Sequence, residues 1–206
     1  MFELRITRCE EGFKDSLSMT SSHEKERRRH RLEGVLSDAW QAYCSFVRQL
    51  LIRSATGCST ELGVIHPASI LPVNWQRASY VAMRASQGAM VRPGNLNHLL
   101  RKEPTWGDVT HIVAIVNALN PGNAGNLIGT LAGGLPGPKH CQLVRNACAH
   151  RNHQTRAEVE SLATSYLASR VKHPTDAMVW RDPGTMQFAF LSWLDDMRTI
   201  AARAVQ

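Results

Sequence analysis

The run Leu32-Glu33-Gly34-Val35-Leu36-Ser37-Asp38-Ala39-Trp40-Gln41-Ala42-Tyr43-Cys44-Ser45-Phe46-Val47-Arg48-Gln49-Leu50-Leu51 decides the fold class. Its apolar members are Leu32, Val35, Leu36, Ala39, Trp40, Tyr43, Phe46, Val47, Leu50 and Leu51. They recur at intervals of three and four, the period of a helix that buries one face, whereas a half-buried strand alternates every second residue. Ser21 followed by Glu24 is a capping-box pattern upstream of this run, and Gly57 closes it downstream. One long helix is expected between them.

Working outward toward the C-terminus, residues 56–75 hold Pro67 and Pro72, show no clean period, and read as a loop. A helix is expected over 76–87, and a short one over 95–101 behind Pro93-Gly94. Asp108 is a suitable N-cap for a helix to Leu119, which Asn120-Pro121-Gly122 stops. The small-residue segment Asn123 to Gly134 is read as helical although four of its residues are Gly. After Pro136-Gly137-Pro138 a helix is expected from about Lys139 to Arg151, and Thr155 with Glu158 offers a second capping box for a helix to Val171. Pro174 and Pro183 bracket an irregular connection. A last amphipathic helix carries Phe188, Leu191, Leu194, Met197, Ala201 and Ala204 on one face. Toward the N-terminus, residues 1–22 read as an extension with a short strand at Phe2 to Thr7, leaving 23–206 as the helical domain. The pattern predicts an all-α helical bundle.

Composition narrows the function classes. Of the 206 residues 43% are apolar, enough for a sizeable core, and no apolar run approaches the roughly 18 residues of a membrane span. Met1-Phe2-Glu3-Leu4-Arg5 lacks the apolar stretch of a secretory signal. Five cysteines, at 9, 44, 58, 141 and 148, form no paired framework, which together with the missing signal points to the reducing cytoplasm. The formal charge of +7, from 24 Lys and Arg against 17 Asp and Glu, favours phosphate-bearing partners.

The stretch with chemistry in it is Leu143-Val144-Arg145-Asn146-Ala147-Cys148-Ala149-His150-Arg151-Asn152. Breaking RNA without a metal requires removing the 2′-OH proton, stabilising a doubly charged phosphorane and protonating the 5′-oxygen. Histidine exchanges protons near neutral pH. Arginine stays charged and offers forked donors to phosphate oxygens. Asparagine orients a ring or a phosphate without changing charge. Asn146 and His150, four apart, share a face of a regular helix, but Arg145 then points about 140° away from His150. The side chain must wrap round, the helix must be distorted, or two copies must complete each other's site.

This segment resembles the R-x4-6-H motif of the HEPN superfamily, in which a polar residue, here Asn146, commonly follows the arginine. The resemblance covers about ten residues, in a late helix of an all-α chain. It implies a metal-independent endoribonuclease without cofactor, one that leaves 2′,3′-cyclic phosphate and 5′-hydroxyl ends, acting as a toxin or phage-defence effector. It also implies a homodimer, a possible antitoxin or defence-system partner protein, and catalytic roles for Arg145 (phosphate clamp), Asn146 (orienting group) and His150 (acid–base group). Some members of the superfamily have lost activity, so a non-catalytic module that binds RNA or a protein is the alternative. A third reading, a helical scaffold with no nucleic acid, stands behind both.

Plainer readings compete at each place. Arg145 and His150 can be a solvated pair on a surface helix. Glu24-Lys25-Glu26-Arg27-Arg28-Arg29-His30-Arg31 supplies candidate RNA contacts at Arg27, Arg28, Arg29 and Arg31, with Arg151 after the motif, but such a run is equally a solvated helix face. His140, Cys141, Cys148, His150 and His153 lack the two close ligand pairs of a structural zinc site, so no metal is expected. Gly129 to Gly137 lacks the Gly-Lys-Ser/Thr ending of a phosphate loop. The five tryptophans are scattered, and nothing places a serine in a strand–helix turn.

Overall fold

The computed structural model describes residues 1–206 apart from the side chain of Ser22. Its helices are α1 (Phe2–Leu17), α2 (Lys25–Thr56), α3 (Trp75–Ser86), α4 (Val109–Leu119), α5 (Ala124–Leu131), α6 (Gly137–Ala149), α7 (His153–Ser161) and α8 (Ala189–Ala204). Two-residue strands β1 (Cys58–Ser59) and β2 (Ile65–His66) pair antiparallel, with Cys58 opposite His66. The fold is all-α. No helix among the described residues is long and apolar enough to cross a membrane.

The long helix expected from the sequence is α2, and Gly57 ends it with φ 102, a conformation that L side chains rarely adopt. The strand expected at Phe2 to Thr7 is instead the first two turns of α1. Phe2, Leu4 and Ile6 alternate as in a strand, but the residues that α1 buries are Ile6, Cys9, Phe13 and Ser16, at helical spacing. Residues 56–75, expected as a loop, contain the β1–β2 pairing.

The chain divides into two compact units, one of residues 1–43 with 136–198, the other of 44–135 with 199–206. In the first, Phe13 of α1 meets the rings of Phe188 and Phe190 at 5.6 and 5.1 Å. The seam between α6 and α8 is closer still. A Cβ on Gly137 would lie 2.7–2.8 Å from Asp196 Cβ and from the Trp193 backbone, so only glycine fits where α6 begins. The Gly137 N–H donates to Asp196 Oδ2 at 2.9 Å, giving a free donor at the start of α6 a carboxylate partner from α8.

One turn on, His140 joins a buried chain. Trp193 Nε1–H donates to Tyr166 Oη at 2.7 Å, and Tyr166 Oη lies 2.7 Å from His140 Nδ1. Burial, helped by nearby Lys139, drives the His140 pKa down to about 4, and burial pushes the Tyr166 hydroxyl up to about 12. Both groups are therefore neutral at neutral pH. Of the two ways to place the protons, Tyr166 O–H donating to Nδ1 leaves no buried hydroxyl unpaired, and we assign that one.

In the second unit Asn74 caps α3 by accepting the Arg77 N–H, and Asp108 caps α4 by accepting the Thr110 N–H. Asn120, left-handed at φ 47, ends α4 as Asn120-Pro121-Gly122 predicts. Glu103 gathers four donors. Arg48 binds it through Nε and Nη2 at 2.6 and 2.8 Å, Ser79 Oγ at 2.6 Å and Trp106 Nε1 at 2.8 Å. Burial alone would raise this carboxyl, but the hydrogen bonds outweigh it and hold Glu103 below the usual carboxylate range. The short helix expected over 95–101 is absent. Arg77 Nη1–H donates to the carbonyls of Arg92 and Asn95 instead, and only Leu100–Lys102 forms a single 3-10 turn. A long side chain has replaced the helical partners of those carbonyls.

The two environments of glycine give opposite outcomes on substitution. Gly137→Ala forces a methyl into the α6–α8 seam and is expected to cost roughly 1–3 kcal/mol or more. Gly34→Ala, where nothing lies within 4 Å of the added carbon, should stabilise α2 by up to about 1 kcal/mol. Urea melts of both variants check this, and equal effects would contradict the described seam. The depressed His140 pKa adds a pH signature. Its contribution is complete above the unfolded value near 6.5 and is lost as pH falls toward about 4, to a total on the order of 3 kcal/mol. Melts at stepped pH should show that loss in the wild type and a flatter profile in His140→Gln.

Candidate active site and the cleft beside it

Helix α6 carries Leu143 to Ala149 to its C-terminal end. Arg145 and Asn146 are half-buried there, and Arg145 Nη1–H donates to Asn146 Oδ1 at 3.3 Å. The helix stops at Ala149. His150 is its C-cap, with φ −129 and ψ 74, and its N–H still donates to the Asn146 carbonyl at 2.8 Å. His150 has thus left the regular helix, and among the described residues no contact joins its ring to Arg145 or Asn146. Its carbonyl accepts from Thr155 Oγ1 at 2.6 Å, while its imidazole is exposed and hydrogen-bonds to none of the described residues.

The chain turns at once into α7. Asn152 is the N-cap, accepting the Thr155 N–H at 3.0 Å while Thr155 Oγ1 accepts the Asn152 N–H at 3.3 Å. The capping box expected at Thr155 and Glu158 is thus displaced by one turn, and α7 ends at Ser161 with a 3-10 turn over Leu162–Ser165 rather than running to Val171. Threonine serves as the reciprocal partner here in place of the usual glutamate.

Glu33 of α2 organises the neighbourhood. Its Oε1 accepts from Arg151 Nη2 at 2.8 Å and lies 3.2 Å from His173 Nε2. His173 itself caps a 3-10 helix, Pro174–Val179, with Nδ1 accepting the Thr175 N–H at 3.3 Å and lying 2.8 Å from Thr175 Oγ1. An Nδ1 that accepts leaves the ring proton on Nε2, aimed at Glu33. The short distance alone would read as an ion pair. Burial, with Arg29 and Arg151 nearby, nevertheless outweighs Glu33 and Asp176 and lowers the His173 pKa, so the contact is a neutral donor to a carboxylate.

Beside this cluster lies an open cleft of about 360 Å³. Arg151, Arg156 and Lys172 supply positive charge to its wall, His153 and Thr155 supply polar groups, and Ala147, Val159 and Val171 supply apolar surface. No Asp or Glu belongs to its lining. Arg145, Asn146 and His150 do not line it either, although Arg151 directly follows His150.

The remaining sequence candidates fall into two groups. Arg27, Arg28, Arg29 and Arg31 lie in the first turns of α2, and Arg31 Nη2 is tied to Asp15 Oδ2 at 2.8 Å in an exposed pair worth little in stability. Arg29 alone acts on the Glu33 cluster, through His173. Among the described residues no group of three or more His, Cys, Asp and Glu is arranged to hold a metal. His140 faces Tyr166, Cys141 is fully buried, and burial pushes the Cys148 thiol up to about 12. Glu33, Lys172 and His173 were not legible as site residues. Glu33 and Arg151 are 118 positions apart, and only His173-Pro174-Thr175-Asp176 carried a local signal, that of a capped turn.

No protein-family model, curated protein or solved structure matches this chain.

Removing Glu33 tests the cluster. Glu33 raises the proton affinity of His173 against burial, so Glu33→Gln should move the His173 titration to still lower pH. Imidazole resonances followed by NMR across pH 4–8 report this, and an unchanged or raised midpoint would refute the described contact.

Proposed function

We propose that this chain is an endoribonuclease of the HEPN type that cleaves RNA without a metal. The observation that supports it most is His150, an exposed imidazole free of described hydrogen bonds. In the chain it lies between the Arg145–Asn146 pair and Arg151, which lines a basic cleft. An acid–base group must keep a ring nitrogen open for its substrate, as His150 does, whereas both ring nitrogens of His173 have partners.

In this reading neutral His150 removes the proton from a ribose 2′-OH. The 2′-oxygen forms its bond to phosphorus while the bond from phosphorus to the 5′-oxygen breaks. The leaving oxygen takes a proton from an imidazolium or from water, and the products carry a 2′,3′-cyclic phosphate and a 5′-hydroxyl. Arg145 neutralises the phosphorane, since its charge is permanent and its free guanidinium nitrogens remain donors while one holds Asn146. Asn146 orients Arg145, a more specific role than orienting the imidazole. A homodimer with two motifs facing across a two-fold axis, a cytoplasmic setting, and a toxin or defence role with a partner protein belong to the same proposal.

One observation favours the non-catalytic alternative. Among the described residues no carboxylate or carbonyl accepts from the His150 ring, so nothing within one copy fixes its tautomer. A module that binds RNA or a protein would need none.

His150→Ala discriminates. It should abolish cleavage of total RNA in EDTA while shifting the thermal midpoint little, because the side chain is solvent-facing. Equal cleavage by wild type and mutant would remove the catalytic assignment, and RNA binding without cleavage by the wild type would establish the binding module. Sedimentation at micromolar concentration tests the dimer.

A further inference from the structure

The cleft beside the motif is shaped and charged for one nucleotide. Its three cations come from different places: Arg151 from the turn after α6, Arg156 from α7, and Lys172 from the segment before Pro174. Each keeps donors in hand. Arg151 uses only Nη2, toward Glu33 and His173, and Arg156 uses only Nε, toward Glu160 at 2.8 Å. The Lys172 ammonium contacts none of the described residues, although its backbone N–H donates to Asp176 Oδ2 at 2.8 Å. Glu33 and Glu160 lie behind two of the three cations and outside the lining, so the surface that faces the cleft carries basic groups and no carboxylate.

The orientation of Arg151 is fixed from behind. Glu33 Oε1 takes one of its Nη2 protons, and the buried His173 ring, held by the Thr175 N–H, packs against the same nitrogen at 3.2 Å. The guanidinium is still exposed to solvent, and its remaining nitrogens are left as donors for a phosphate at the cleft. Val171 is partly exposed and offers apolar surface to a base or ribose, above Val159 and Ala147, which are buried in the floor of the cleft. The volume of about 360 Å³ lies at the small end of ligand sites, enough for one nucleotide and too small for a folded element of a partner protein.

We propose that this cleft is the RNA subsite next to the scissile phosphate. It holds one nucleotide of a single strand, with the phosphate on Arg151, Arg156 and Lys172 and the base or sugar against Val171. The inference rests on the ribonuclease reading for the word scissile. Ala147, Arg151 and Asn152, which line the cleft, flank His150 in the chain, and this is the ground for setting the subsite next to the phosphate that His150 would act on. The cleft, rather than the arginine run at the start of α2, then supplies the main electrostatic contact with RNA.

The test uses a fluorescent, fully 2′-O-methylated single-stranded RNA octamer, which has no 2′-OH and cannot be cleaved, titrated at several salt concentrations. The double variant Arg156→Gln/Lys172→Gln should lose about tenfold in affinity or more, and the slope of log affinity against log salt should fall by roughly 0.7 for each phosphate that is no longer neutralised. The charge-matched control Arg53→Gln/Arg203→Gln, at exposed arginines outside the cleft, should bind as the wild type does. Val159 is too buried to alter safely, so Val171→Asp supplies the second arm and should weaken binding by placing a carboxylate against the phosphate. Unchanged affinity and slope in the double variant would overturn the proposal, as would an equal loss in the control, which would mean a diffuse basic surface. The ribonuclease reading can fail separately. If wild type and His150→Ala leave cleavable RNA equally intact while the double variant still loses affinity, the subsite stands and the catalytic reading does not.

Discussion

The placement of the motif depends on how α6 is fastened to α8. Gly137 brings the two backbones into contact where no side chain fits, Asp196 accepts the first free N–H of α6, and the Trp193–Tyr166–His140 chain holds the next turn. These contacts cost side-chain and backbone freedom and bury polar groups, so they contribute only because the Gly137 N–H, the Trp193 N–H and the Tyr166 O–H each meet an acceptor. With its N-terminal end fixed, α6 is a rod about 20 Å long, at 1.5 Å per residue. Arg145 and Asn146 ride on its last turns. An error at Gly137 would be carried to the far end as a displacement of the motif.

Charge in this protein is sorted rather than simply abundant. The arginines that the sequence offers as RNA contacts divide into those already committed and those still open. Arg31 has one nitrogen on Asp15, and Arg198, not itself a candidate, holds Glu3, Glu10 and Asp195 at 2.8–3.1 Å. Arg48 is enclosed with Glu103. Arg151 is different, because Glu33 and His173 engage one nitrogen and leave the rest of the fork facing a cleft. Net charge therefore says little about where a polyanion would lie, and the distribution of partners says more.

Much of the fold was legible because helices announce themselves within one turn. The face from Leu32 to Leu51, the cap at Asp108 and the stop at Asn120 each depend on neighbours three or four residues away. The misreadings have local causes too. Phe2, Leu4 and Ile6 alternate by accident of composition, and a threonine took the place of glutamate in the Asn152 capping box. Near Leu96, where the pattern predicts a short helix, the carbonyl of Asn95 is held by the distant Arg77 instead of by a helical N–H. The candidate site shows the same split. Arg145, Asn146 and His150 are close in sequence and could be proposed from it, with only the exit of His150 from the helix unforeseen. Glu33, Arg151 and His173 meet through tertiary packing, and no periodicity encodes that meeting.

The cysteine beside the motif has a chemical consequence of its own. Cys148 lies two residues before His150, and burial, with Glu33 adding to it, pushes its thiol up to about 12 despite Arg145 and Arg151. Cys9 is likewise raised, to about 11. A thiol that keeps its proton at cellular pH is a poor nucleophile and oxidises slowly. Arg145 and Arg151 therefore do not turn Cys148 into a readily oxidised thiolate. Electrophiles aimed at this region would have to engage the imidazole instead.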